Sequence, residues 1–132
     1  AKADRFQARR QKMAERYLTE LADLPIILPP QVKNKKTDLH SWHLFCCQLN
    51  TNKISRDEFI QAMSELGIGT SVHFIPLHLQ PYWQERYNLQ PEQFPCASHY
   101  FSVAVSLPLY TKMTDEDQTR VIAAVRQILA NL

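Results

Sequence analysis

Apolar residues recur at helical spacing from the first residues of the chain. Phe6, Met13, Tyr17, Leu21 and Leu24 share one face of a helix expected over 3–24, with Arg9, Arg10, Lys12, Glu15, Arg16 and Glu20 on the other. Pro25 stops that helix, since proline removes a backbone donor and crowds the preceding turn. A loop with the charged tip Lys33-Asn34-Lys35-Lys36 follows. The run 40–49 (HSWHLFCCQL) is continuously apolar around Leu44 to Cys47 and predicts a strand covered on both faces. Ser55 and Glu58 form a capping box, and Phe59, Met63 and Leu66 give the next helix its stripe. Gly67 ends it where a left-handed residue is wanted.

A second strand is expected over 69–74, broken by Pro76. Short helices follow around 80–87 and 95–103, the latter with Pro95 in its first turn. A third strand is expected over 106–109, at an edge because it carries Pro108. Thr114 caps a last helix, whose positive end holds Asp115, Glu116 and Asp117 and whose buried face is Val121, Ile122, Val125, Ile128 and Leu129. Three strands interleaved with helices predict an α/β (α+β) fold. The arrangement is a two-layer sandwich of a small, three-stranded antiparallel sheet with helices.

At 132 residues the chain is expected to be one domain, 1–132, long enough to bury a core. Lys and Arg number 15 against 13 Asp and Glu, a balance that argues against nucleic acid as a partner. The lysine-rich tip therefore reads as a solvated turn. No apolar run is long enough to span a membrane, and no signal peptide pattern is present, so no membrane partner is expected. Three cysteines, two of them adjacent, do not make a disulfide framework, and the expected compartment is a reducing cytoplasm. The chain starts AKADRF, without Met and already in a helical pattern, which suggests an excised piece.

Candidate chemistry is sparse. His40 and His43 are expected on opposite faces of a strand, and no acidic or cysteine partner accompanies His73 and His78, so no metal site is expected. Cys46 and Cys47 fit buried small hydrophobes, and Cys96 near a helix start is the better placed thiol. The two glycines lie together at Gly67 and Gly69, so no glycine-rich phosphate loop exists. The segment 71–78 stands apart. It is a strand end entering a proline-broken loop with two imidazoles and Phe74, followed by Tyr82 and Trp83. Loops leaving a rigid strand are places where side chains face a ligand.

In these residues the chain resembles the C-terminal part of DegT/StrS-type aminotransferases. The matching pieces run in order along nearly the whole length: RRQKMAERY, SWHLF, RDEFIQAMSELGIGTSVHFIPLHLQPYW, FPCASHYF, SLPLYTKMTDED and VIAAVRQIL. The resemblance implies the small domain of a fold-type I pyridoxal-phosphate (PLP) enzyme. In such enzymes a large-domain lysine holds PLP as an aldimine and a large-domain aspartate pairs the pyridine nitrogen. An amino group passes from glutamate or glutamine to a keto sugar nucleotide, in a homodimer with sites at the subunit interface. The implied partners are the large domain, a homodimer partner, the sugar nucleotide and the amino donor.

The resemblance also places His73, Phe74 and His78 on the small-domain side of the substrate cleft. Arg56 fits the family pattern as well, with a first-turn helix role ahead of a donor-carboxylate role. None of the family's cofactor residues has a match, and none of Lys2, Lys12, Lys33, Lys35, Lys36, Lys53 and Lys112 sits in the Schiff-base motif. No catalytic residue and no bound PLP are therefore expected in this chain alone. The alternative expectation is a stand-alone, non-catalytic binding or interaction module that kept this domain. An unrelated Cys/His hydrolase trails both, because no catalytic trio can be assembled. Phe6, Tyr17, Trp42, Phe74 and Trp83 are expected to form an exposed patch that drives self-association.

Overall fold

Helix α1 (Lys2–Glu20) opens the chain in the computed structural model, which describes residues 2–31 and 38–130. The predicted lysine-rich tip lies outside the described residues. Helix α1 buries Met13, Ala14 and Tyr17 and unwinds through turns before Pro25, with Leu21 and Leu24 still in the core. Strand β1 (Ile26–Ile27) follows, then β2 (Phe45–Leu49) and α2 (Arg56–Glu65). A 3-10 turn at Leu77–Leu79 leads to α3 (Pro81–Tyr87), and another at Pro91–Gln93 leads to α4 (Pro95–Val103). Strand β3 (Ala104–Leu107) and α5 (Asp115–Leu129) close the order.

The sheet order is β1-β2-β3, both pairs antiparallel. Ile26 pairs Leu49 on one side of β2, and Phe45 pairs Leu107 on the other. This is the expected α+β sandwich, with five α-helices and three antiparallel strands among the described residues. Strand β2 alternates: Phe45, Cys47 and Leu49 are buried, while Cys46 and Gln48 are half-covered. One face is thus the core and the other is only partly covered, in place of the two covered faces expected.

Helices α1 and α5 run in the same direction and are clamped at both ends. Near their starts Arg9 bonds Asp115 at 2.7 Å and the Met113 carbonyl at 2.6 Å. Near their ends Arg126 forks onto Asp23 through two bonds of 2.7 Å and donates to the Glu20 carbonyl. Between them the buried Gln118 amide donates to the Met13 carbonyl at 2.7 Å, satisfying a polar group that burial would otherwise penalise.

The expected caps are present. In α2 the Ser55 hydroxyl accepts from the Glu58 amide, and the Glu58 carboxylate accepts from the Ser55 amide at 2.8 Å. Thr114 and Asp117 do the same for α5. Gly67, with φ of 74°, closes α2: its amide bonds the Ser64 carbonyl and the Ile68 amide bonds the Met63 carbonyl.

Several expectations are corrected. The strand expected over 69–74 is a single bridge, Ser71 to Ser106, on the outer edge of β3. The third strand of the sheet is instead β1, right after Pro25. Strand β2 starts at Phe45 rather than 40, because Trp42 adopts φ of 47° and turns the chain. His40 and His43 therefore lie in a loop, not on a strand. Strand β3 is shifted two residues earlier than expected, leaving Pro108 just outside it. Tyr17 and Trp42 are core residues, 0% and 1% exposed, not members of a surface patch.

Candidate functional site

The segment 71–78 hangs between two anchors. At its start, Ser71 and Ser106 exchange backbone hydrogen bonds of 3.2 and 2.7 Å. At its end, the 3-10 turn closes through Leu79 onto the Pro76 carbonyl, and the Gln80 side-chain amide donates to the Ile75 carbonyl. Between the anchors the apolar side chains point outward. Phe74 is 93% exposed, and Val72, Ile75 and Leu77 are exposed too.

An open groove of about 730 Å³ runs along this segment, with His43, Leu44, Val72, His73, Phe74 and Ile75 among its walls. None of its lining residues is an acid, lysine or arginine. It can therefore offer ring faces, imidazole nitrogens and backbone groups, but no fixed cation. His73 is half-buried, with its ring tilted against Tyr100 at 6.5 Å. Tyr100 in turn meets the Cys46 thiol at 3.0 Å. Burial first, and then that thiol, push the Tyr100 hydroxyl up to about 12, so it stays protonated at physiological pH.

Of the three residues expected at the cleft, the fold brings His73 and Phe74 together on the groove. His78 is not among its walls. It is 5% exposed, stacked on Phe94 at 4.7 Å, with Nε2 at 2.8 Å from the Ser98 hydroxyl. Leu44, His43 and Tyr100 join the site from elements that sequence spacing could not connect to it. Arg56 donates to the Phe101 carbonyl at 2.6 Å and lies 5.0 Å over the Phe101 ring, so it ties the start of α2 to the end of α4. Among the described residues no three His, Cys, Asp or Glu side chains gather as a metal set.

A three-stranded antiparallel sheet with helices is shared with PLP aminotransferases of fold type I. Pseudaminic acid biosynthesis aminotransferase PseC of Helicobacter pylori has this fold, with a TM-score of 0.83 at 20% identity over 96% of this chain and 33% of its own. The DegT/DnrJ/EryC1/StrS aminotransferase family profile matches residues 1–126, and the chain belongs to that family. The spore coat polysaccharide biosynthesis protein SpsC of Bacillus subtilis is 41% identical over 129 residues, 96% of this chain and 33% of SpsC. DesV of S. venezuelae, solved with a ketimine intermediate, has a TM-score of 0.78 at 35% identity, covering 95% of this chain and 32% of DesV. The chain spans about a third of the length of the curated relatives it matches.

Among the described residues, no lysine fits a PLP site. The cofactor needs a lysine amine held inside a cleft, and Lys2, Lys12, Lys53 and Lys112 are all exposed on α1, a turn and the loop before α5. The remaining three lysines lie outside the described residues.

The cysteines separate by environment. Cys96 is exposed at the start of α4, Cys46 is half-covered, and burial pushes the Cys47 thiol up to about 12. At pH 8 such a thiol is ionised in about one molecule in ten thousand, and only the thiolate attacks. Iodoacetamide at that pH is expected to alkylate Cys96 first and Cys47 only in denaturant. Peptide mapping by mass spectrometry reads the order, and Cys47 reacting as fast as Cys96 would contradict it.

Proposed function

We propose that this chain is the C-terminal small domain, 1–132, of a cytoplasmic, homodimeric PLP aminotransferase that moves an amino group from glutamate or glutamine to a keto sugar nucleotide. PLP, in this proposal, is held by the rest of a longer enzyme, the large domain, and this chain alone neither binds it as an aldimine nor transaminates. The supporting observation is the groove on the 71–78 loop, an exposed phenylalanine beside a half-buried imidazole on a family scaffold that spans a third of its relatives. His73 and Phe74 border the sugar or its diphosphate there, and the neighbouring His78 supports that wall.

The exposed Phe74, Ile75, Leu77 and Val72 are the face that the large domain covers in this proposal. An apolar face of this kind, left open, favours association of copies of the chain.

Two measurements test the proposal. Mixing the chain with PLP and reducing with borohydride is expected to leave no stoichiometric pyridoxyl-lysine; one such lysine, found by mass spectrometry, would sink the claim that the chain is inert alone. In a full-length relative, replacing the histidine aligned with His73 by Ala is expected to raise the KM for the sugar nucleotide about fivefold with kcat little changed. That is the loss of one hydrogen bond of about 1 kcal/mol that is made equally in ground and transition states. Unchanged kinetics would remove His73 from the cleft.

A further inference from the structure

The hydroxyl of Ser98 has one proton, and the geometry assigns it to the Pro91 carbonyl. Ser98 Oγ donates to the Pro91 carbonyl at 3.0 Å, and a carbonyl can only accept. The 2.8 Å contact between Ser98 Oγ and His78 Nε2 must then be donated by the histidine. Nε2 therefore carries a hydrogen, whether His78 is neutral or protonated. The only form that breaks the chain of bonds is the neutral tautomer with its proton on Nδ1. The Phe94 ring lies against the imidazole at 4.7 Å and closes it in, and His78 is 5% exposed.

This relay joins three separate pieces: the turn Leu77–Leu79 that carries His78, helix α4 that carries Ser98, and the turn Pro91–Gln93. Helix α3, between the two turns, has no fully buried residue; Trp83 and Gln84 are its half-buried ones. The loop with His73 and Phe74 is thus held at one end by the Ser71–Ser106 bridge and at the other by the Leu77–Leu79 turn, the Gln80 bond to the Ile75 carbonyl and His78. We propose that His78 is a positioning residue: through Ser98 and the Pro91 carbonyl it sets the path of the 72–77 loop and so the placement of His73 and Phe74. It acts through the loop and does not touch a ligand with Nε2. Its importance for binding rests on the sugar-nucleotide proposal for the groove, while the relay itself does not.

The test uses the 132-residue chain without ligand. Long-range nitrogen–proton NMR on the histidine-labelled protein is expected to show His78 as the Nε2–H form. Ser98→Ala should lose that single form and displace the His73 and Phe74 amide signals, and Ser98→Thr should restore both. His78→Gln, whose amide nitrogen can occupy the Nε2 position, should keep the loop signals near their original places, and His78→Asn should move them. A neutral imidazole protonated on Nδ1 alone, with Nε2 bare, in the unmodified chain overturns the proposal without any variant. So does a folded Ser98→Ala with unmoved loop signals, or equal displacement by Gln and Asn. A verified relay beside a kinetically silent His73 in the longer relative would reject the cleft proposal and leave the positioning of the loop standing.

Discussion

Three aromatic rings hold the parts of this fold in one place. Tyr17 of α1 lies 4.9 Å from Phe45 of β2, and Trp42 from the preceding loop lies 5.9 Å from the same ring. All three are at most 1% exposed, and each polar tip is satisfied. The Tyr17 hydroxyl donates to the Pro108 carbonyl at 2.8 Å, joining α1 to the end of β3, and the Trp42 indole donates to Gln11 at 2.8 Å. Burial raises the Tyr17 hydroxyl well above its ordinary range, so it remains a donor at any physiological pH. Truncating one such ring opens a cavity worth about 3–5 kcal/mol, a large part of a small domain's stability.

The positive φ of Trp42 is explained by the same junction. Left-handed backbone costs a bulky residue of order 1–3 kcal/mol and persists only where surroundings over-determine it. Here the Trp42 amide donates to His40 Nδ1 at 2.9 Å and the His40 ring stacks on the indole at 4.0 Å. Arg10 of α1 holds the Trp42 carbonyl at 2.6 Å, and Gln7 holds the His40 carbonyl. Helix α1 straps the loop down, and the turn it imposes delivers Phe45 into the core in the right register for β2. Since a one-residue slip would turn Phe45, Cys47 and Leu49 outward, the strap also selects the face.

What was legible in the sequence follows from range. Ser55 with Glu58, Thr114 with Asp117, and Gly67 are signals carried within a few residues, and all form the caps expected of them. The identity of the strands was less legible. Ile26 and Ile27 become a strand only because β2 presents an edge to them, and 69–74 fails to become one because beyond Ser71 the chain leaves β3. Tyr17 and Trp42 were mistaken for surface residues, since an amphipathic ring gives no local sign of whether a partner 28 positions away, as Phe45 is from Tyr17, will bury it. In the groove, His73 and Phe74 were visible as a cluster. Tyr100 and Cys46, which back His73 from 54 positions apart, were not.

The same distinction of range separates the two histidines of the segment. Their spacing makes them look like a pair, but their surroundings differ. His73 faces a groove with no fixed charge, whereas His78 is enclosed by Phe94 and bonded to a serine 20 positions away. A residue can be placed on a segment that walls a groove and still spend its hydrogen-bonding edge inward. A buried polar group left without a partner costs about 1–3 kcal/mol, so a satisfied one is strongly held and its orientation is strongly defined. A loop whose apolar side chains Val72, Phe74, Ile75 and Leu77 are all exposed has little packing of its own to define its path. One well-satisfied histidine at its root therefore helps this fold keep an exposed phenylalanine and a half-buried imidazole in a single arrangement.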